Sequence, residues 1–230
     1  RRRYPSVCHG GRQSDLARAE QPSEQRLQIF AAAHKSVYRY QKGEGYRDSF
    51  HEEYPDISME IFQGTYDDVV YWIKNGVVDV GFLSVSSAAD IPIEPLYKDP
   101  LLCVVQKGHR TSKEPMSIEE MKNCQFVTQR ESTDADIQNF MKENHLDVRS
   151  SYHVVDDLST VVMVANGFGI CLMPEMVMKD IPYEVDCFPV KPDACRIIGI
   201  AALNPDNMAP AVRTFYNRVL AMYQQEEYVK

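Results

Sequence analysis

The stretch "TYDDVVYWIKNGVVDVGFL", Thr65 to Leu83, constrains the fold more than any other part of the chain. Its first half repeats apolar residues at helical spacing, with Tyr66, Val69, Val70 and Ile73 on one face. Thr65 can cap the start, and Asn75-Gly76 stops the helix. The second half, "VVDVGFL", is a nearly unbroken apolar run. A strand covered on both faces reads this way, as central strands of parallel sheets do. Upstream, "ISMEIF" sets Ile57, Met59 and Ile61 at period two, and "LQIFAAA" is another strand. Between them, "SVYRYQKGEGYRDSFHEEYPDI" holds a helix ending near Tyr54-Pro55. The order is βαβαβ, an α/β unit built on a parallel sheet.

A second such unit follows. "IEPLY" and "LLCVVQ" read as two further strands, and "SIEEMKN" opens with Ser117 and Glu120 at capping-box spacing. Then come strand "QFVT", helix "DADIQNFMKEN", strand "SYHVV", helix "LSTVVMVAN" and strand "GICLM". Ile137, Phe140 and Met141 mark the inner face of the first of these helices. In the second, Leu158, Val161, Val162 and Ala165 share a face, and Asp156 or Asp157 caps the start. "YEVDCF" and "RIIGIAAL" are strand candidates, and the closing helix sets Val212, Phe215, Tyr216, Val219 and Tyr223 on one side. "LLCVVQ" and "RIIGIAAL" are the candidates for crossing between the two units. The expected organisation is a flexible Arg-rich tail or linker over 1–26, the first part of lobe I over 27–104, lobe II over 105–197, and a return to lobe I over 198–230.

Charge divides along the same line. Residues 1–26 carry six arginines against three acids, +3; the remainder holds 19 basic against 30 acidic residues, −11. An acidic body argues against nucleic-acid binding by the folded part. No run of 18 apolar residues exists, so no membrane span is expected. The N-terminal "RRRYPSVCHGGRQSD" lacks the apolar centre of a signal peptide. None of the six cysteines forms a CxxC pair, and Cys103 and Cys171 sit in apolar runs. That usage suggests a reducing compartment, hence the cytoplasm.

"VANGFGICLMP" places Gly167 and Gly169 between a helix and a strand. A dinucleotide fingerprint needs the reverse order, because the helix N-terminus must face the pyrophosphate. The stretch is therefore an αβ turn, and no nucleotide is implied. There is no HExxH, no GxSxG and no GxxxxGK[ST] sequence, so no metal, no cofactor and no catalytic residue is assigned. The informative pattern is positional. Three strand-to-helix turns carry hydroxyl or basic residues: "HKS" (His34, Lys35, Ser36), "QGT" (Gln63, Gly64, Thr65) and "TQREST" (Thr128 to Thr133). In open α/β sheets these turns form the ligand crevice, and helix N-termini there favour anions. Capping alone explains a hydroxyl at such a turn; Lys35 and Arg130 suit a carboxylate ligand or a solvated surface equally.

"HEEYPDISMEIFQGTYDDVVYWIKNGVVDVGFL" closely resembles the first lobe of the effector-binding domain of LysR-type transcriptional regulators. "LYKDPLLCVVQKGHR" is similar to that family's crossover stretch, and "VVDDLSTVVMVANGFGICLMP" to its second-lobe signature. The matches run from about Leu27 to Leu220. The resemblance implies two Rossmann-like lobes around a central cleft, a type 2 periplasmic-binding-protein-like fold. It implies a small-molecule effector, a homodimer or tetramer, and DNA contact only through an N-terminal winged helix missing from this chain. It implies effector contacts from Lys35 and Ser36, from Thr65, and from Gln129, Arg130 and Ser132. Phe168 is a further candidate, for the cleft or for the core. "HKS" is more basic than the family's usual first turn, which favours an anionic effector, and Gly43 and Gly45 interrupt the first helix. Two other readings share the fold: a transporter's solute-binding protein and a cytosolic enzyme.

Overall fold

A computed structural model describes residues 25–31, 50, 52–129, 135–146, 152–154, 156–179 and 181–224, with residues 25–31, 129 and 224 entering through their backbone only. The predicted alternation is present. β1 (Gln25–Ala31) lies between β2 (Ile57–Phe62) and β3 (Val80–Ser84), parallel to both. α1 (Tyr66–Lys74) connects β2 to β3. β10 (Cys195–Ala201) adds antiparallel to β3 and then pairs with β4 (Ile93–Gln106). The order β2-β1-β3-β10-β4 makes the first lobe. Of the helix expected before β2, the described part is a turn at Phe50, Glu52 and Glu53, where the Tyr54 N–H donates to the Phe50 carbonyl at 2.8 Å.

"IEPLY" and "LLCVVQ" are one strand, not two. β4 runs 14 residues through Pro95 and Pro100, with a register shift at Leu96 where Ile198 pairs with Tyr97 and Gly199 with Pro95. Its first half pairs with β10; its second half pairs with β8 (Cys171–Pro174) on one side and β9 (Val185–Lys191) on the other. β5 (Met116–Ser117) extends the sheet beside β9. β6 (Val127–Gln129) pairs in parallel with β7 (Tyr152–Val154) and meets Ile170, beside β8, through a parallel bridge. This second sheet carries α2 (Ile118–Lys122), α3 (Ala135–Glu143), α4 (Asp157–Ala165) and the single-turn α5 (Glu175–Met178), which the sequence pattern did not suggest. α6 (Pro210–Gln224) returns to the first lobe, where its whole expected face, Val212, Phe215, Tyr216, Val219 and Tyr223, is buried.

The helix boundaries follow from their caps. Thr65 and Asp68 form a capping box at α1, Ser117 and Glu120 another at α2, and Asp156 rather than Asp157 caps α4. Two apolar faces differ from expectation. α4 buries Thr160, Val161 and Val164, while Leu158, in its first turn, is 44% exposed. Ile61 is 40% exposed near the end of β2, whereas Ile57 on the same face is buried.

Candidate functional site

Parallel strands put their C-terminal ends on one edge, and that edge is where ligands bind in open α/β sheets. In the first lobe the edge carries Gln63, Gly64 and Thr65 after β2, and Val85–Ser87, a single 3-10 turn, after β3. In the second lobe it carries the residues after β6, Asp156 after β7, and Pro174 at the end of β8. The two edges face each other. The Ser86 hydroxyl donates to Asp136 Oδ1, in the first turn of α3, at 2.6 Å, and Ser84 Oγ lies 3.0 Å from Ser86 Oγ. Ser84 is buried, and the Ser87 hydroxyl is buried with no hydrogen-bond partner.

Beneath the cleft a charged network sits inside otherwise apolar strands. Arg196, at the start of β10, donates from Nε to Asp99 Oδ2 on β4 at 2.9 Å, and from Nη1 to the Tyr66 hydroxyl at 3.2 Å. The Met176 N–H, on the helix after β8, donates to Asp99 Oδ1 at 2.9 Å. Asp99 is fully buried and Arg196 is 4% exposed. Burial pushes the Asp99 carboxyl up, against the downward pull of the Arg196 guanidinium and the Met176 N–H. The four partners come from β4, β10, α1 and α5, so the pair ties first-lobe elements to the helix that follows β8. Charged groups inside apolar strands at "KDPLLCVV" and "ACRIIGIAAL" were the available signal for it.

Of the predicted effector residues, Lys35, Ser36, Arg130 and Ser132 lie outside the described residues. Thr65 is at the expected edge, but its hydroxyl is committed to the cap: it donates to Asp68 Oδ2 at 2.8 Å and accepts from the Asp68 N–H at 3.2 Å. Asp67 and Asp68 already complement the positive end of that helix. The backbone of Gln129 closes β6 opposite Val154. Thr128 donates to the Tyr152 carbonyl at 3.2 Å. Phe168 is not at the cleft. It lies at the other end of the second sheet, beside Gln106, while the cleft edge is at Leu101, opposite Pro174. Five strand residues separate those ends, roughly 17 Å at the rise of a β-strand. The αβ turn that carries Phe168 leads into β8 from the N-terminal side, which fixes it at the outer end. There it is 45% exposed, its ring edge-on to Tyr152 at 5.4 Å, beside an open hollow of about 300 Å³. A crevice of about 20 Å³ beneath Thr128 and Thr160 has room for one water rather than an effector.

The residues missed were Ser84, Ser86, Ser87 and Asp136. "LSVSS" follows a parallel strand in the same way as the "QGT" turn, so the same rule applied to β3 would have found the serines. Nothing local marks Asp136, whose role comes from a partner 50 residues away.

The arrangement defines a class: a two-lobed α/β binding domain with its cleft at converging strand ends. The sequence pattern of the LysR substrate binding domain matches residues 47–224. The chain belongs to that family, the effector-binding domain of LysR-type transcriptional regulators. Among curated relatives, the uncharacterized HTH-type transcriptional regulator YoaU of Bacillus subtilis is 23% identical over 177 residues, 73% of this chain and 58% of that protein. The chain thus spans less than two thirds of that relative's length. Among solved structures, the Synechocystis CcmR regulatory domain in complex with 2-PG superposes with a TM-score of 0.77 at 16% identity, over 88% of this chain and 99% of that one. The QuiR effector-binding domain in complex with shikimate gives 0.72 at 21% identity, over 89% and 99%. Among the described residues no helix is long and apolar enough to cross a membrane.

Proposed function

We propose that this domain senses a small anionic effector held between its lobes, and that it does so within a longer, cytoplasmic, homodimeric or tetrameric regulator that meets DNA through a segment outside this chain. The observation that carries the reading is the convergence of the two strand-end edges, joined at Ser86 and Asp136. The lobes divide as 27–104 with 198–230, and 105–197. Lys35, Ser36, Gln129, Arg130 and Ser132 contact the effector, with Thr65 contributing through the helix end it caps. Carboxylates at Asp67, Asp68, Asp136 and Asp156 line the described part of the edges, so the anion is held by Lys35 and Arg130. The small acids seen with CcmR and QuiR support this class of ligand. The domain acts by shifting the balance between lobe arrangements, not by turnover.

A thermal-shift screen of small carboxylic and phosphorylated acids against matched neutral compounds tests this, beginning with shikimate. A bound acid at one hundred times its Kd adds about 2.7 kcal/mol of stability, and Arg130→Ala abolishes the rise. An unchanged rise removes Arg130 from the site. A response to neutral compounds alone overturns the anionic reading, and conversion of the bound compound makes the domain an enzyme.

A further inference from the structure

The Ser84–Ser86–Asp136 chain spans the gap between two separately packed bodies. Ser84 ends β3, whose residues Val80, Phe82 and Leu83 belong to the first core; Asp136 precedes Ile137 and Phe140 of a core in the second lobe. The two hydroxyls and the carboxylate run in series at 3.0 and 2.6 Å. The short final bond is charge-assisted and bridges the two edges beside β10, whose Ile198 pairs with Ser84. A hydrogen bond that spans the two edges in this way has the geometry of a clasp. The turn that presents Ser86 is closed by the Ala88 N–H, which donates to the Val85 carbonyl at 3.3 Å.

We infer that Ser86 and Asp136 are positioning residues that hold the lobes together across the cleft, so that an effector entering between the lobes competes with this bond. The inference rests on the reading of the cleft as the effector site, and it is tested without any effector. Hydrogen exchange by mass spectrometry is followed on the full chain for peptides over 84–88, 135–140 and the β4 interior at 101–106, in Ser86→Ala, Asp136→Ala and the double variant. A clasp predicts that each single variant speeds exchange in both cleft peptides, its own and the opposite lobe's, by roughly 2- to 10-fold. It predicts that the double variant is no faster than the faster single, and that Ser86→Thr, which keeps the hydroxyl, exchanges like the parent. The β4 peptide stays unchanged, which separates lobe opening from unfolding. Changes confined to the mutated lobe, or additive in the double variant, overturn the clasp. Failure of the acid screen with the clasp intact would instead remove the effector reading.

Discussion

The two lobes are built on the same pattern and held together differently. In the first lobe, residues from α1 on one side of the sheet and α6 on the other join a single core, with Phe215 set edge-on to Phe50 at 5.2 Å and to Phe82 at 6.4 Å. In the second, the sheet separates two cores. Cys103 and Val105 point into one and Val104 into the other, by the alternation of a strand. The second lobe's longest helices have nine residues, against 15 in α6, and β6 and β7 have three each. Bulk aromatic burial dominates the first lobe. Local devices, namely caps, tight turns and ion pairs, do more of the specifying in the second. Even its thiols serve packing: burial pushes Cys103 up to about 12 and Cys171 well above the usual thiol range, so both remain neutral fillers of the two cores.

The largest effect should come from cutting the joint that lets the lobes share stability. Asp99→Ala leaves Arg196 buried without its counter-charge and the Met176 N–H without its acceptor, costing about 3–5 kcal/mol. Trp72 reports the first lobe and circular dichroism the whole domain. We expect their urea transitions to coincide in the parent and to separate in the variant, the second lobe unfolding first. A loss below about 1 kcal/mol would mean that the joint does not couple the lobes.

A smaller loss, confined to the second lobe, should follow Gly169→Ala. Gly169 has φ 146, and a Cβ there would run into the Gln125 carbonyl oxygen that accepts the Ile170 N–H at 2.8 Å. Strain of this kind costs of order 1–3 kcal/mol. The melting curve should broaden on its low side, while the Trp72 signal keeps its midpoint. A uniform shift of both signals would contradict a division of labour between lobes.

The smallest effect tests the caps. Asp156→Ala should cost about 1 kcal/mol. The Ser159 N–H, donating to Asp156 Oδ1 at 2.8 Å, holds that carboxyl below the usual range. A carboxylate lowered in the folded state stabilises it fully above the unfolded value of 3.8, and this contribution is lost as the pH falls through the folded value. The difference between parent and variant should therefore be constant from pH 7 to about 5 and shrink below about 4. Parallel melting series across that range read it directly, and a difference that persists into acid would assign the loss to packing.

Much of the fold was legible because each element carries its own periodicity and cap. Tyr66, Val69 and Ile73 define α1 together with Thr65 and Asp68, and no long-range information is needed. The fusion of "IEPLY" with "LLCVVQ" was not legible, because Pro100 reads locally as a break and only pairing with Cys195 shows that the strand continues. Leu158 was misplaced because periodicity alone does not fix which stripe of a short helix is covered, and here it is the one through Thr160, Val161 and Val164. The site was less legible than the fold. Ser86 and Asp136 matter through each other, and a hydroxyl or a carboxylate alone looks like any cap.

β4 crosses from one lobe to the other beside the segment that links β9 to β10, where the Leu101 N–H donates to the Ala194 carbonyl at 2.9 Å. Two hydrogen-bonded strands resist stretching and sliding in their own plane far more than bending out of it. The softest relative motion that such a crossing leaves to the lobes is a bend, described by one angle. On the proposed reading, an occupant of the cleft acts on the rest of the protein chiefly through that angle. A chain with such a joint can respond to chemically unlike molecules with the same movement, provided that each changes that angle.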